Sequence, residues 1–176
     1  VDVQAVELFT SLLSLVALGG AVLLIIARLL APRVQIAADA VRAVSSVALP
    51  LAWLVAAGAT LGSLYFSEVA NYTPCRLCWY QRIAMYPLAV ILLVAMLRRD
   101  RAVKWYAVPV AGIGAAISAY HYLIEWKPSF DSGSCDVTVP CTIPWFRELG
   151  FVTLAFMAFA GFVAIITLLT VRYEET

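Results

Sequence analysis

The chain has 176 residues, of which 64% are hydrophobic and 13% charged, with a net charge of +1. A soluble domain carries about 25% charged residues, so this chain cannot coat a water-facing surface and lipid must cover most of it. The near-neutral balance, with no basic cluster beyond one short loop, argues for neither nucleic acid nor an acidic substrate as partner.

Taken in chain order, charge-free runs mark five spans: 8–27, 43–67, 83–97, 105–124 and 149–171. About 20 apolar residues at 1.5 Å each cross the ~30 Å hydrocarbon core. Four of the runs meet that length directly. The run 8–27 is flanked by Asp2 and Glu7 instead of lysine or arginine, which reads as a retained helix and not as a signal peptide. The third run is only 15 residues long. Its helix should therefore start upstream, between Cys75 and Trp79, behind Pro74, and carry Arg82 into the membrane edge.

Pro50, Pro87 and Pro109 fall inside spans, where neighbouring helices compensate for the lost backbone bonds. The small-residue stretch from Gly112 through Gly114 to Ala116 predicts close helix contact in the fourth span. Pro128, Gly133, Pro140 and Pro144 argue against a long helix in the segment 125–148, although 144–149 leaves room for a short interfacial one. The expected fold is an all-α membrane protein. A single integral domain, 1–176, comprises a four-helix core at 43–171 and an additional N-terminal helix at 8–27.

Lysine and arginine in short loops set orientation. One side holds Arg28, Arg33, Arg42, Arg98, Arg99, Arg101, Lys104 and Arg172; the other holds Arg76, Arg82, Lys127 and Arg147. The richer side should be cytoplasmic. Both cysteine pairs, Cys75 with Cys78 and Cys135 with Cys141, then face the extracytoplasmic, disulfide-permissive side.

A CxxC at a helix start suits redox chemistry, because free N–H groups and the helix dipole favour a thiolate. Arg82, one turn after Cys78, adds a permanent positive charge on the same face. A static disulfide or half a zinc site would also explain the pair, and Arg82 alone could be a headgroup anchor. Cys135 and Cys141, in a loop rich in Ser, Gly and Pro, can close a small ring. That ring is either a target for a partner's thiolate or a loop staple. Two pairs on one face favour exchange. His121 is the only histidine; it can hydrogen-bond a quinone carbonyl, hand on a proton, or pair with Glu125 one turn away. Trp79, Tyr80, Tyr120, Tyr122 and Trp126 read as an aromatic belt.

The segment Pro74-Cys75-Arg76-Leu77-Cys78-Trp79-Tyr80-Gln81-Arg82-Ile83-Ala84-Met85-Tyr86-Pro87 resembles the signature of the disulfide bond formation protein B family, closest to its short-loop BdbC-like branch. Tyr120-His121 and the second cysteine pair follow in matching order, and the resemblance covers roughly residues 45–172. It implies a four-helix bundle that reoxidises a soluble or tethered thioredoxin-fold thiol oxidase. The electrons then reach a membrane quinone, ubiquinone or menaquinone. It further implies that Cys135 and Cys141 form the disulfide attacked by the partner, and that Cys75 exchanges with that pair. Cys78 faces the quinone with support from Arg82, and His121 lies near the quinone. The span 8–27 is additional to the usual four, and the CxxxxxC loop is shorter than in the best-known members. The bacterial inner membrane is the implied location. Vitamin K epoxide reductases also pair two cysteine couples with a quinone, but their loop cysteines precede the membrane CxxC. A zinc-bound or disulfide-stapled scaffold is the non-enzymatic alternative.

Overall fold

In the computed structural model, which describes residues 2–131, 133, 135 and 139–171, the regular structure is helical. The described residues form five α-helices: α1 (Val3–Leu30), α2 (Gln35–Glu68), α3 (Arg76–Arg98), α4 (Lys104–Trp126) and α5 (Leu154–Thr170). In a lipid environment helices satisfy every backbone group internally, which strands in an open sheet cannot do. The first four are long and apolar enough to cross a membrane; α5 is apolar but has 17 residues. Arg172, counted above among the cytoplasmic charges, lies outside the described residues.

Local sequence explains where α1 and α3 begin. The Asp2 carboxylate caps α1 by accepting from the Gln4 N–H at 3.1 Å, which satisfies one of the four orphan donors there. α3 starts at Arg76, upstream of its charge-free run as expected. Cys75 is its N-cap, and the Cys75 sulfur accepts from the Cys78 N–H at 3.3 Å.

The last helix departs from expectation. The 23-residue run 149–171 yields a helix only from Leu154, because Leu149 (φ 52°) and Gly150 (φ 81°) adopt left-handed backbone. The turn they form is closed by reciprocal hydrogen bonds between Glu148 and Val152, and Thr153 then caps α5 through the Phe156 N–H. The same turn replaces the short helix that 144–149 left room for. α5 is consequently roughly 26 Å long at 1.5 Å per residue.

α2, α3, α4 and α5 pack in a ring, each against the next, and α5 closes on α2. α1 lies outside the ring against α5 and α2. The ring core is built from small and branched residues, among them Ala52, Ala56, Leu88, Leu92, Ala107 and Phe162. Gly114 shows why small residues matter: a Cβ there would overlap the ring of the fully buried Phe162 on α5. Gly112 faces open space instead, so close contact in α4 rests on one glycine of the stretch. The outer surface is apolar, with Leu23, Ile83, Leu97 and Ile113 exposed, as lipid-facing positions require.

The connectivity gathers the N-termini of α1, α3 and α5 and the C-termini of α2 and α4 at one end. Both cysteine pairs sit at that end. The loops holding Arg28, Arg33, Arg98 and Arg99 lie at the other, where the Arg28 guanidinium donates to the Thr170 carbonyl at 3.0 Å.

Candidate functional site

Four sulfurs converge where α3 begins. The Cys75 and Cys78 sulfurs are 2.8 Å apart and unbonded, well short of ordinary sulfur contact yet beyond the ~2.05 Å of a disulfide. Cys135 and Cys141 are joined by a disulfide. The loop carrying them folds back on the α3 start, so that Cys75, Leu77, Ile124 and Cys141 form one buried cluster, with Cys78, Cys135 and Val139 at its margin. The Cys75 sulfur, the Cys141 sulfur and a His121 ring nitrogen all lie within 4.8 Å of one another. Within the bonded pair, Cys141 is 2% exposed while Cys135 is partly exposed.

His121 is buried on α4 and tied on both ring nitrogens. Nε2 is 3.7 Å from the Cys75 sulfur and 3.8 Å from a Glu125 carboxylate oxygen. Nδ1 is 3.0 Å from the side-chain nitrogen of Gln81. Glu125 is also buried; it accepts from the Thr153 hydroxyl at 2.6 Å. Thus the cap of α5, the end of α4 and the first turns of α3 share one polar network in an apolar setting, where a satisfied network is rigid.

The Cys75 thiol is held below its usual range. The hydrogen bond from Cys78 does most of this, and the bond and charge of His121 add to it, against burial, which acts upward. A lowered value means that the reactive thiolate persists as pH falls below the ~8.5 of a free thiol. In the reduced protein, alkylation of Cys75 by a small reagent should therefore reach half its maximal rate well below that pH. Cys78→Ala, which removes the stronger side-chain donor, should move the midpoint upward, and His121→Gln should move it upward by less. Mass spectrometry of Cys75 peptides across pH checks this; a midpoint near 8.5 in the unmodified sequence would contradict it.

Two cavities meet at Cys78. The smaller, of about 360 Å³, is lined by Cys75, Cys78, His121, Glu125 and Cys141. The larger, of about 640 Å³, runs between α1, α2, α3 and α5 and takes in Cys78, Gln81, Arg82 and Tyr86. Cys78, Trp145 and Leu154 line both. Arg82 turns inward across the larger cavity instead of reaching outward. Its guanidinium donates to the Ser63 carbonyl on α2 at 3.0 Å and lies over the rings of Trp79 and Tyr86.

Of the residues singled out from sequence, Cys75, Cys141 and His121 come together on one side of the α3 start. Cys78 and Arg82 come together on the other. His121 lines the smaller cavity, at the sulfurs. Trp79, Tyr80 and Trp126 are about half exposed at this end, but Tyr120 and Tyr122 donate to the loop carbonyls of Phe130 and Phe151 and hold the loop. Gln81 stood in the motif without a role. Glu125 entered only as a partner for His121, and Trp145, Tyr72 and Glu7 had none. Glu7 carried a usable signal: a carboxylate at the start of an apolar helix is costly unless paired.

That pairing roofs the site. The Tyr72 hydroxyl donates to the Glu7 carboxylate on α1, and burial followed by this bond pushes the Tyr72 phenol up to about 12. Tyr72 stacks on Trp145 at 4.8 Å, and the Trp145 indole donates to the Thr73 carbonyl at 3.3 Å.

A zinc centre would need three or four free ligands. In the cluster of Cys75, His121 and Cys141, the Cys141 sulfur is bonded to Cys135 and so is not a free ligand.

Comparison with known proteins agrees with this geometry. Residues 45–171 match the family described as disulfide bond formation protein DsbB. A probable disulfide formation protein C 1 of Bacillus anthracis is 47% identical over 119 residues, 67% of this chain and 86% of the relative. Disulfide bond formation protein C of Bacillus subtilis (strain 168) is 49% identical over 115 residues, 65% of this chain and 83% of the relative. No solved structure gives a significant match.

Proposed function

The chain belongs to the disulfide bond formation protein DsbB family, and from that premise we propose how it works as a membrane thiol oxidase: it takes electrons from a thioredoxin-fold partner, soluble or tethered, and delivers them to a membrane quinone, ubiquinone or menaquinone. In this reading residues 43–171 are the redox core of a multi-pass protein of the bacterial cytoplasmic membrane, and both cysteine pairs face the extracytoplasmic side. The observation that carries the proposal is the position of Cys75, within 4.8 Å of Cys141 and beside Cys78, which opens onto an apolar cavity.

The route follows from exposure. A partner thiolate attacks Cys135, the accessible sulfur of the loop pair; the Cys135–Cys141 bond breaks and Cys141 leaves as thiolate. The partner's second thiol resolves the mixed disulfide, which releases oxidised partner and frees Cys135. The Cys141 thiolate attacks Cys75 of a closed Cys75–Cys78 pair, and Cys78 leaves as thiolate. Attack of Cys135 on Cys141 then restores the loop disulfide and leaves Cys75 and Cys78 with the two electrons. Each exchange needs a thiolate and an in-reach disulfide sulfur. His121, between Cys75 and Glu125, is placed to take and return the proton at Cys75.

The larger cavity suits a quinone: it is apolar along its length, with the Cys78 sulfur and the Arg82 guanidinium at one end. A bound quinone supplies the two-electron, two-proton sink that lets Cys75 and Cys78 close again.

The test is disulfide mapping of Cys135→Ser. Without Cys135, Cys141 cannot be recaptured, so the oxidised protein should accumulate a Cys75–Cys141 bond. A free Cys141 beside a closed Cys75–Cys78 pair would refute the route.

A further inference from the structure

The family match begins at residue 45, so α1 lies outside it; yet α1 forms one wall of the larger cavity. The lining residues Thr10, Ser14, Ala17, Gly20, Ala21 and Leu24 recur every three or four positions and so make one helix face. From Thr10 to Leu24 the wall extends roughly 21 Å at 1.5 Å per residue. It begins beside Cys78 and Arg82 and ends beside Val44 and Leu168, near the opposite face of the bundle.

Three glycines keep this space clear. Gly20 on α1 and Gly58 and Gly62 on α2 all line the cavity, and a Cβ at any of them would meet nothing within 4 Å. α1 is tied by polar contacts near both of its ends. Glu7 holds Tyr72 above the cavity, and Arg28 bonds the Thr170 carbonyl below it. Arg82 is the charged residue among the described lining, so a ligand with one polar end and a long apolar remainder matches the cavity. A volume of about 640 Å³ lies within the ~300–1,000 Å³ usual for small-molecule sites.

Resting on the reading above, we propose that α1 converts a lipid-exposed quinone site into a walled channel that stays partly open to lipid. The ring of an isoprenoid quinone sits at Cys78 and Arg82, its tail lies between α1 and the α2/α5 wall, and α1 thereby sets the preference for tail length. A tail held this way is covered on its α1 side, and every residue that narrows the wall shortens the tail that fits.

The experiment uses the full chain in lipid nanodiscs with a quinone bearing a photoreactive group at the tail end. Labelling should fall on the α1 peptide containing residues 10–24 and be competed by unmodified long-tailed quinone. Labelling only of outward positions such as Ile83 or Ile113, or α1 labelling that a phospholipid acyl probe reproduces and quinone does not displace, would overturn the channel. A second arm fills the wall with Ala17→Phe and, deeper, Gly20→Leu. The kcat/KM ratio of long-tailed to tail-less quinone should drop about tenfold or more in each, and Gly20→Leu should spare longer tails than Ala17→Phe does. An unchanged ratio in both variants would overturn the proposal. Failure of the unmodified protein to reduce even a tail-less quinone with a dithiol donor would instead strike the underlying reading.

Discussion

Cys78→Ser should fold normally and lose quinone reduction by roughly a thousandfold or more, the scale seen when the reacting atom of a catalytic unit is removed. Serine preserves size and the cap geometry at Cys75, but its hydroxyl can neither leave from a disulfide nor carry the electron pair. The loop disulfide is untouched, so this variant should still oxidise about one equivalent of reduced partner in a single turnover and then stop. A burst without turnover is the signature. Sustained quinone reduction by Cys78→Ser would remove Cys78 from the pathway. Loss of the burst as well would mean that the substitution had disturbed the loop and not the electron exit.

Arg82→Ala should raise the apparent KM for quinone by roughly 10- to 150-fold, which corresponds to losing one charged hydrogen bond worth ~1.5–3 kcal/mol. The guanidinium is held at the cavity by the Ser63 carbonyl and by Trp79 and Tyr86, so its position does not depend on ligand. Removing it leaves the Cys75, Cys141 and His121 cluster intact, and the single-turnover oxidation of partner should keep its rate. Arg82→Lys should recover part of the loss, since it restores charge without the fork of donors. An unchanged KM in Arg82→Ala would reduce Arg82 to a link between α2 and α3.

How much of this was legible in the sequence depends on what each feature rests on. The start of α3 could be read from a run too short to span, from Pro74 and from the two cysteines, because helix length and capping are local. The gathering of both cysteine pairs at one end followed from counting spans. The shortened α5 was hidden: Leu149 looks like the beginning of an apolar helix, and nothing in a leucine announces left-handed backbone. The face on which His121 lies was equally hidden. A lone histidine near a helix end can face lipid, ligand or thiol, and only the packing of α4 against α3 turns it toward Cys75. The Glu7–Tyr72 pair spans two elements 65 residues apart, which no local pattern reveals. The cavity along α1 depends on side chains that are missing, at Gly20, Gly58 and Gly62, and their effect exists only once the helices are placed.

Central to the account is a single circuit from dithiol to quinone through both cysteine pairs. Anaerobic titration of the purified chain in proteoliposomes, with a reduced thioredoxin-fold donor and quinone, measures it directly. One quinone should be reduced for every two donor thiols lost, and the flow should halt in Cys135→Ser, which lacks the sulfur where electrons enter. Quinone reduction that continues undiminished in that variant, or donor oxidation with no quinone consumed, would contradict it.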